Sequence, residues 1–241
     1  MNRVILCEGK TDAILLGYYL GKIAGWKHSK STPSDLKIRA HEQNENVAWY
    51  NRDSEWLMIC AVGGKDNFGK FFSKDIQKAI INANKFSRIA VIVDRDEREV
   101  EEIERSVCEE LSPFFGTVKN RQWNTCGYTD GFGMEKTLES MLLVIPTDQQ
   151  GALETVMLSA ISEDPYDKNI VDQCSDFVEG IKDEADRYIT TERLLVKAKL
   201  STVWAIQSPQ KVFEFIDEQI KAVEWEKSEV LRECFVVLES I

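Results

Sequence analysis

The stretch that decides the fold is VILCEGKTD, residues 4–12, in which a short apolar run ends abruptly at Glu8. A compact apolar run bounded by a turn is typical of a strand buried in a parallel sheet. Thr11 can cap a helix after this turn, and apolar residues then recur at helical spacing between Ile14 and Ile23. The stretch therefore predicts a buried strand followed by an amphipathic helix.

The same strand–helix pattern occurs twice more in the first half of the chain. A second apolar run, Leu57–Val62, leads into a glycine-rich turn and a helix that extends to about Ala83. A third run, Ile89–Val93, ends at Asp94-Arg95-Asp96 and is followed by a strongly acidic helix. Three strand–helix units in succession predict an α/β fold with a mostly parallel sheet flanked by helices.

The rest of the chain is less regular. Further strands are predicted over residues 117–124 and 141–145, and the polar residues 27–55 are expected to form a loop-rich insertion. The last third of the chain shows helical patterns alone, over about residues 152–161, 168–182, 190–206, 210–222 and 228–239. We therefore expect an α/β domain over residues 1–150 and a helical C-terminal extension over 151–241 that packs on it.

Length, composition and charge limit the classes of protein to which the chain can belong. Its 241 residues are 43% hydrophobic and 29% charged, which is ordinary for a globular protein and excludes wholesale disorder. A net charge of −11 argues against a protein that packs DNA through a broad positive field. It leaves room for an enzyme that meets nucleic acid through a local patch and bound cations.

The cysteines, histidines and apolar runs indicate a compartment. The 6 cysteines are scattered without a Cys-x-x-Cys pair, and His28 and His41 are the only histidines, so a zinc site is not expected. Scattered single cysteines are typical of reduced thiols in the cytoplasm. No apolar run reaches the roughly 18 residues of a membrane span, so we expect neither a membrane segment nor export.

Carboxylates follow two of the predicted strands. Glu8 and Asp12 come after the first strand, and Asp94 and Asp96 come after the third. In open parallel sheets ligands bind outside the carboxyl ends of the strands, so these four side chains are expected at one edge of one sheet. Packed carboxylates repel one another and raise each other's pKa values, and a bound divalent cation removes that repulsion. Oxygen ligands without His or Cys favour Mg²⁺ or Mn²⁺.

Simpler explanations exist for each of these residues taken alone. A single Asp or Glu after a strand is commonly a helix cap or a solvated turn residue. The pair Asp94-x-Asp96 is a stronger signal, because it places two carboxylates on a short turn directly after an apolar strand. The sequence lacks the Walker A, dinucleotide-binding and Gly-x-Ser-x-Gly motifs of other α/β enzymes.

These motifs resemble the Toprim fold, which topoisomerases, bacterial primases, small ribonucleases and OLD-family nucleases share. The Toprim signature is a Glu after the first strand and Asp-x-Asp after the third, as at Glu8 and Asp94-x-Asp96. The E-G-x-x-D form of the first motif, with Asp12 in place, is most similar to the OLD-type nucleases. The turn 63–67 and the region 145–154 resemble a small uncharacterised Toprim-like family of this length.

The resemblance implies metal-dependent phosphodiester chemistry, with Mg²⁺ or Mn²⁺ and two ions in the site. Carried over residue by residue, it assigns five metal ligands: Glu8, Asp12, Asp94, Asp96 and Glu154. It assigns as catalytic residues Glu8, Asp94, Asp96 and a later lysine, Lys197 or Lys199. The phosphate-binding residues that we expect are Lys10, Gly63, Gly64 and Lys65.

Helical spacing restricts the choice between the two later lysines. Two residues apart on a predicted helix, Lys197 and Lys199 point about 200° apart, so at most one of them can serve the phosphate. The place of Lys197 in the matching Lys-x-Lys stretch favours it. Both can equally be solvated surface lysines, since lysine is almost never buried unpaired.

The leading hypothesis is a Toprim-type nuclease that hydrolyses phosphodiester bonds in DNA or RNA. OLD proteins carry an ATPase domain in the same chain and this sequence shows none, so an ATPase would be a separate partner, in phage defence or in repair, or would be absent. The alternative is a Toprim-like module that binds metal or nucleic acid, or regulates, without cleaving. Primase- or topoisomerase-like chemistry comes third, because no zinc ribbon or second domain with a nucleophilic tyrosine is recognisable. The sequence does not indicate whether the substrate is DNA or RNA. It is compatible with a homodimer.

Overall fold

A computed structural model describes residues 2–112, 114–211 and 216–241 of the chain. Seven strands within these residues form one sheet, and they are β1 (Asn2–Cys7), β2 (Lys27–Ser29), β3 (Asn46–Arg52), β4 (Glu55–Ala61), β5 (Phe86–Asp94), β6 (Asn124–Thr129) and β7 (Glu135–Ile145). Their order across the sheet is β2-β3-β4-β1-β5-β7-β6. The central strand β1 therefore lies between β4 and β5, which follow it only after a long stretch of chain.

The helices of the described residues are α1 (Lys10–Ala24), α2 (Phe68–Phe71), α3 (Gln77–Ala83), α4 (Val100–Glu110), α5 (Leu153–Ile161), α6 (Pro165–Gly180), α7 (Glu192–Gln207), α8 (Ile216–Lys221) and α9 (Glu229–Phe235). A π-helical segment, Phe72–Ile76, joins α2 to α3. Short 3₁₀ turns cover Lys65–Asn67, Pro209–Lys211, Trp225–Lys227 and Val236–Leu238.

The centre of the sheet is parallel and its flanks are antiparallel. Strand β1 pairs in parallel with both β4 and β5, whereas β2–β3, β3–β4 and β6–β7 are antiparallel pairs. Residues Val4–Cys7 of β1 are fully buried, as expected for a central strand that is covered on both faces. The predicted fold class is confirmed: the protein is α/β, with helices around the sheet and a helical C-terminal region.

The core forms on the two faces of this sheet because side chains alternate along each strand. Val4 and Leu6 of β1 belong to an apolar cluster that also contains Phe71, Phe72 and Ile103. These residues come from the helical segments that follow β4 and β5. Helix α1, in contrast, packs against β3 and β4.

The region expected to be a loop-rich insertion contains strands β2 and β3, so that prediction is wrong for these residues. Strand β3 pairs along its whole length with β4, across a turn at Asp53, whose φ of 54° lies in the left-handed region. Trp49 packs into the core cluster, Val47 packs against it, and Tyr50 is also buried. These apolar residues lie within a stretch, 27–55, that is mostly polar, and the composition of the whole stretch concealed the strand.

Two strand boundaries also differ from the predictions. The strand expected over 117–124 instead covers Asn124–Thr129, and before it only an isolated bridge joins Asn120 to Leu142. Strand β7 begins at Glu135 rather than at residue 141. Its first half was missed because exposed and covered residues are mixed there and the apolar run of the second half is lacking.

The helical predictions for the last third of the chain correspond to α5 through α9. Part of the helix expected over residues 210–222, namely 212–215, lies outside the described residues, and α8 covers Ile216–Lys221. Of the helices described, none combines the length and the hydropathy needed to span a bilayer.

The chain divides into two compact units. The first comprises Met1–Val93, Arg98–Val144 and Val237–Ile241, and the second comprises Asp94–Glu97 and Ile145–Val236. The short segment directly after Val93 therefore groups with the C-terminal helices. The sequence predicts two consecutive domains with a boundary at residue 150. In the structure the chain passes from one compact unit to the other four times.

Candidate functional site

Buried carboxylates are concentrated at the positions predicted for a site. In the part of the chain that the structure describes, the buried acidic side chains are Glu8, Asp12, Asp94, Glu104, Asp130 and Glu154. Four of them are predicted metal ligands, and the fifth predicted ligand, Asp96, is half-buried. Taking a carboxylate out of water is costly unless hydrogen bonds or cations compensate for it. The contacts of each carboxylate therefore indicate what the site can do.

Glu8 directly follows β1 in the first unit, and its backbone carbonyl oxygen organises the turn after β4. The N–H groups of Gly63 and Gly64 both donate to this oxygen, each at 3.0 Å. Both glycines have positive φ, 82° and 125°, which most other residues avoid. Because these two backbone donors are engaged, a phosphate at this turn would have to be bound by other groups than the N–H groups of Gly63 and Gly64.

Asp12 caps helix α1. Its Oδ2 accepts a hydrogen bond of 2.7 Å from the N–H of Gly9, the residue before the helix begins. A carboxylate in the first turn also interacts favourably with the helix dipole. The helix-cap explanation of Asp12 thus has a structural basis, and the cap residue is Gly9 rather than the predicted Thr11.

A polar loop lies against the residues expected to bind phosphate. The Lys10 ammonium donates to the carbonyl oxygen of Gln43 at 3.0 Å, and the Asn44 side-chain amide donates to the carbonyl oxygen of Gly63 at 2.7 Å. A Cβ atom on residue 63 would lie 2.5 Å from Asn44 Nδ2, so the loop fits because that residue is glycine. Lys65 is exposed at the start of its 3₁₀ turn. The loop that contains Gln43 and Asn44 therefore holds the side chain of Lys10 through a hydrogen bond.

Asp94, the last residue of β5, accepts hydrogen bonds on both carboxylate oxygens within the second unit. Oδ1 accepts the N–H of Leu153, the first residue of α5, at 3.0 Å. Oδ2 accepts from Nη2 of Arg193, on α7, at 2.8 Å. A helix N-terminus and a guanidinium both favour the ionised carboxylate, and together they compensate for a residue that is only 4% exposed.

The turn after Asp94 is fixed by backbone hydrogen bonds to the segment before α5. The N–H of Asp96 donates to the carbonyl of Gly151 at 2.6 Å, and the Gly151 N–H donates back at 2.8 Å. The N–H of Arg95 donates to the carbonyl of Ile145 at 2.7 Å. Asp96 itself has φ of 52°, a conformation that Asp and Asn adopt more readily than most residues. The two predicted ligands of the Asp-x-Asp pair are thus held by a rigid backbone frame.

The two later lysines have different partners, as their helical spacing predicts. Lys197 Nζ lies 3.5 Å from Oε1 of Glu154, a predicted metal ligand. Lys199 Nζ lies 2.5 Å from Oε1 of Glu179, on α6, and the hydrogen bond from this ammonium lowers the pKa of Glu179 from its ordinary value. Lys197 is therefore the lysine of the pair that contacts a predicted site residue.

Arg193 is the residue of this arrangement that sequence reasoning missed. It lies one helical turn before Lys197, so the two side chains share one face of α7. The sequence did contain a signal for Arg193, because a residue four positions before Lys197 lies on the same face of a predicted helix. Without the structure, nothing connected that face to Asp94, which is 99 positions away.

The predicted ligands fit a hard divalent cation by their chemistry, since each offers only oxygen atoms. Over residues 2–112, 114–211 and 216–241, however, no group of three or more His, Cys, Asp or Glu side chains is placed to hold a metal ion. Asp94 and Glu154 contact protein cations. The sharing of one cation by Glu8 and the Asp94-x-Asp96 pair stays a prediction.

Comparisons with known proteins identify a family but no activity. No curated protein matches the chain. Among solved structures, it is similar to the hypothetical protein PH0156 from Pyrococcus horikoshii OT3, at 15% sequence identity and a TM-score of 0.49, over 98% of this chain and 99% of that one. The model of a family of proteins of unknown function, DUF3226, matches residues 2–233, and the chain therefore belongs to that family.

Proposed function

We propose that the protein is a metal-dependent nuclease of the Toprim type, which hydrolyses phosphodiester bonds in DNA or RNA with Mg²⁺ or Mn²⁺. The observation that supports this most is the burial of four predicted ligands, Glu8, Asp12, Asp94 and Glu154. Acidic side chains are almost never fully buried without a specific partner, so their burial at the predicted positions favours a functional site.

In this proposal Asp94, Asp96 and Glu8 hold the metal, which would supply charge neutralisation at the phosphate and a more acidic attacking water. Leu153 and Arg193 orient the carboxylate of Asp94 through their hydrogen bonds. The backbone hydrogen bonds between Asp96 and Gly151 fix the position of the residue from which this carboxylate extends. Lys197 donates to a non-bridging phosphate oxygen, where its charge offsets the charge that develops in the transition state.

One observation favours the second candidate, a module that binds without cleaving. Asp94 and Glu154 already contact Arg193 and Lys197, so these two carboxylates are compensated in the absence of a metal. A regulatory or nucleic-acid-binding domain would need these carboxylates only as partners of Arg193 and Lys197, without a catalytic metal ion. The nuclease remains the better proposal, because the buried carboxylates Glu8, Asp12, Asp94 and Glu154 coincide with the positions that the Toprim resemblance assigns to metal ligands.

The compartment in the proposal is the cytoplasm. All 6 cysteines are free, which suits a reducing compartment. An ATPase, if the function requires one as in the OLD proteins, would act as a separate partner in defence or repair. These assignments rest on the proposed activity and would be revised with it.

The experiment that tests the proposal is a cleavage assay with three substrates: plasmid DNA, single-stranded DNA and RNA. Each is incubated with Mg²⁺, Mn²⁺ or EDTA, with the wild-type protein and with Asp94→Asn, which keeps the shape of the side chain and removes its charge. Cutting that requires metal and disappears in Asp94→Asn supports the nuclease. Binding of these substrates without cutting under every condition would favour the module instead.

A further inference from the structure

The two edges of the sheet are protected to different degrees against pairing with another strand. Strand β2, at one edge, has only 3 residues and carries an exposed lysine, Lys27, and both features discourage edge-to-edge association. Strand β6, at the other edge, has 6 residues, NTCGYT, without a charge or a proline. Of the described strands, only β7 pairs with β6. The β6 edge therefore lacks the features that usually protect an edge strand.

Alternate residues of β6 direct their backbone groups away from β7. The N–H of Asp130 donates to the carbonyl of Met134 at 2.9 Å, which continues the register of β6 against β7 by one more residue pair. Hydrogen-bonded and non-hydrogen-bonded pairs alternate in an antiparallel ladder, so the even-numbered residues of β6 bond to β7. The N–H and C=O groups of the odd-numbered residues are then directed outward, and these residues are all exposed: Thr125, Gly127 and Thr129.

The sequence of this edge is matched to a second copy of itself. Thr125 and Thr129 lie at equal distances on either side of Gly127. When two β6 strands pair in antiparallel fashion about a twofold axis at Gly127, each Thr125 lies opposite a Thr129 and the two glycines lie opposite each other. The outward backbone groups are then in register for about six hydrogen bonds, two for each residue pair. Threonine pairs across strands add to the stability, and the same surface serves both copies.

The charges around β6 favour the same antiparallel arrangement. The exposed residue Lys119 precedes the strand and the exposed residue Glu135 follows it. Antiparallel pairing places the start of one strand beside the end of the other, so a positive charge of each copy comes near a negative charge of its partner. The net charge of −11 opposes association at long range, but physiological salt screens this repulsion beyond about 8 Å.

Two apolar side chains beside β6 would also gain from association. Phe132 is 80% exposed and Met134 is 50% exposed, both in the turn that follows the strand. In the antiparallel arrangement this turn lies beside the start of the partner's β6, where it is removed from water. Apolar side chains exposed side by side next to an unprotected edge strand are typical of an interaction surface.

We propose that β6 is a self-association surface, through which two copies of this chain join their sheets about a twofold axis at Gly127. This inference does not depend on the proposed nuclease activity. An extended peptide of another protein could add to the same backbone groups. The symmetric arrangement of Thr125 and Thr129 about Gly127 favours a second copy, because a foreign peptide gains nothing from that symmetry.

The first arm of the test is sedimentation equilibrium of the full chain at 0.15 M salt, from about 1 to 500 µM protein, a range that covers the affinities of small interfaces. We expect a reversible monomer–dimer equilibrium. Thr125→Lys/Thr129→Lys and Thr125→Glu/Thr129→Glu each place like charges opposite each other and should weaken dimerisation at least about tenfold. An equimolar mixture of the two variants should dimerise again, because each lysine then lies opposite a glutamate.

The matched control for the lysine variant is Thr32→Lys/Thr137→Lys. It adds the same charge at two exposed threonines outside β6, so it should leave dimerisation unchanged. If it weakens dimerisation as much as Thr125→Lys/Thr129→Lys does, net charge and not the β6 edge controls association, and the proposal is wrong.

The second arm measures amide hydrogen exchange of the wild type by NMR at protein concentrations below and above the dimerisation midpoint. The outward amides of Thr125, Gly127 and Thr129 should exchange at least about tenfold more slowly in the dimer, because they become hydrogen-bonded. The amide of Cys126 already bonds to β7, so it should be protected at both concentrations and reports that the hairpin is folded. This arm needs no variant, so it decides the question even if the double variants do not fold.

Each outcome decides for or against pairing through β6. Dimerisation that both double variants lose and their mixture recovers, with slowed exchange at Gly127, supports it. A wild type that stays monomeric at every concentration overturns it and leaves the edge to a strand of another protein. Dimerisation that both variants retain, or that the mixture fails to restore, overturns the pairing about Gly127 and assigns association to another surface or register. The nuclease proposal is unaffected by any of these results.

Discussion

Asp96 and Gly151 exchange both of their backbone hydrogen bonds, at 2.6 Å and 2.8 Å, although they are far apart in the sequence. The pair forms an isolated antiparallel bridge between the turn after β5 and the segment that leads into α5. The bridge involves no side-chain atom of Asp96. The bridge therefore fixes the backbone at this residue, and a change confined to the carboxylate leaves both of these hydrogen bonds in place.

This separation predicts the behaviour of Asp96→Asn. The fold should survive, because the amide keeps the shape of the side chain and Asn adopts the left-handed conformation readily. Metal-dependent cleavage should fall by about 100-fold or more, the range seen when one charged group of a catalytic site is removed. Thermal denaturation and a cleavage assay measure the two effects. The control is Asp53→Asn, which makes the same change at an exposed residue with φ of 54°; if Asp53→Asn and Asp96→Asn cleave equally fast, Asp96 has no part in the reaction.

Gly151→Ala should destabilise the second unit. The φ of Gly151 is +136°, and an added Cβ atom would lie 2.4 Å from Thr155 Oγ1. Strain of this kind costs about 1–3 kcal/mol, and relaxation would disturb the bridge to Asp96. Urea unfolding of the variant measures the loss. Gly180→Ala is the comparison, because nothing lies within 4 Å of a Cβ atom there and the residue ends a helix; equal stability of the two variants would show that the bridge tolerates a side chain.

Lys197→Met and Lys199→Met should differ in their effect on cleavage. Lys197 contacts a predicted metal ligand, so its loss should slow cleavage by about 10- to 100-fold. It should also lower the melting temperature, because the buried carboxylate of Glu154 loses a compensating cation. Lys199 contacts Glu179 on α6, so its loss should leave cleavage unchanged. Single-turnover cleavage and melting curves on the same preparations distinguish the two. Full activity in both variants would remove both lysines from the mechanism.

The Lys199–Glu179 pair also predicts a pH dependence of stability. The Lys199 ammonium, with Lys182 nearby, lowers the pKa of Glu179 in the folded protein, so this carboxylate contributes stability above its unfolded pKa of about 4.3 and loses it as the pH falls through the lower folded value. Because Glu179 is half exposed to water, the contribution should be below about 1 kcal/mol. The difference in unfolding free energy between the wild type and Lys199→Met should therefore be largest near pH 7 and vanish near pH 3. A difference that grows toward acid pH would contradict this assignment.

The sequence was sufficient for the central fold because each central strand is an unbroken apolar run. Strand β1, the first of these runs, is buried on both faces, and its pattern has no competing explanation. Strand β3 escaped prediction because its apolar residues Val47, Trp49 and Tyr50 lie within a mostly polar stretch, 27–55. Trp49 and Tyr50 are both buried, so burial alone does not decide whether a strand can be recognised in the sequence.

The candidate site was predictable residue by residue but not in its contacts. Glu8 and Asp94 follow apolar runs, so their positions can be derived from the sequence. The contact of Arg193 with Asp94 could not be derived, because it depends on where α7 lies in three dimensions. Similarly, the hydrogen bonds of Gly63 and Gly64 to Glu8 depend on the register of β1 against β4.

Because the chain passes between its two compact units four times, truncating it has a consequence for the Asp94-x-Asp96 turn. A single cut after Val144 would release the hydrogen-bond partners of Asp94–Glu97, namely the groups of Ile145, Gly151, Leu153 and Arg193 that hold this segment. The Asp-x-Asp pair would then lose its frame even though the sheet that precedes it were complete. A fragment that ends at residue 144 should therefore retain Asp94 and Asp96 but lack the groups that hold them in place.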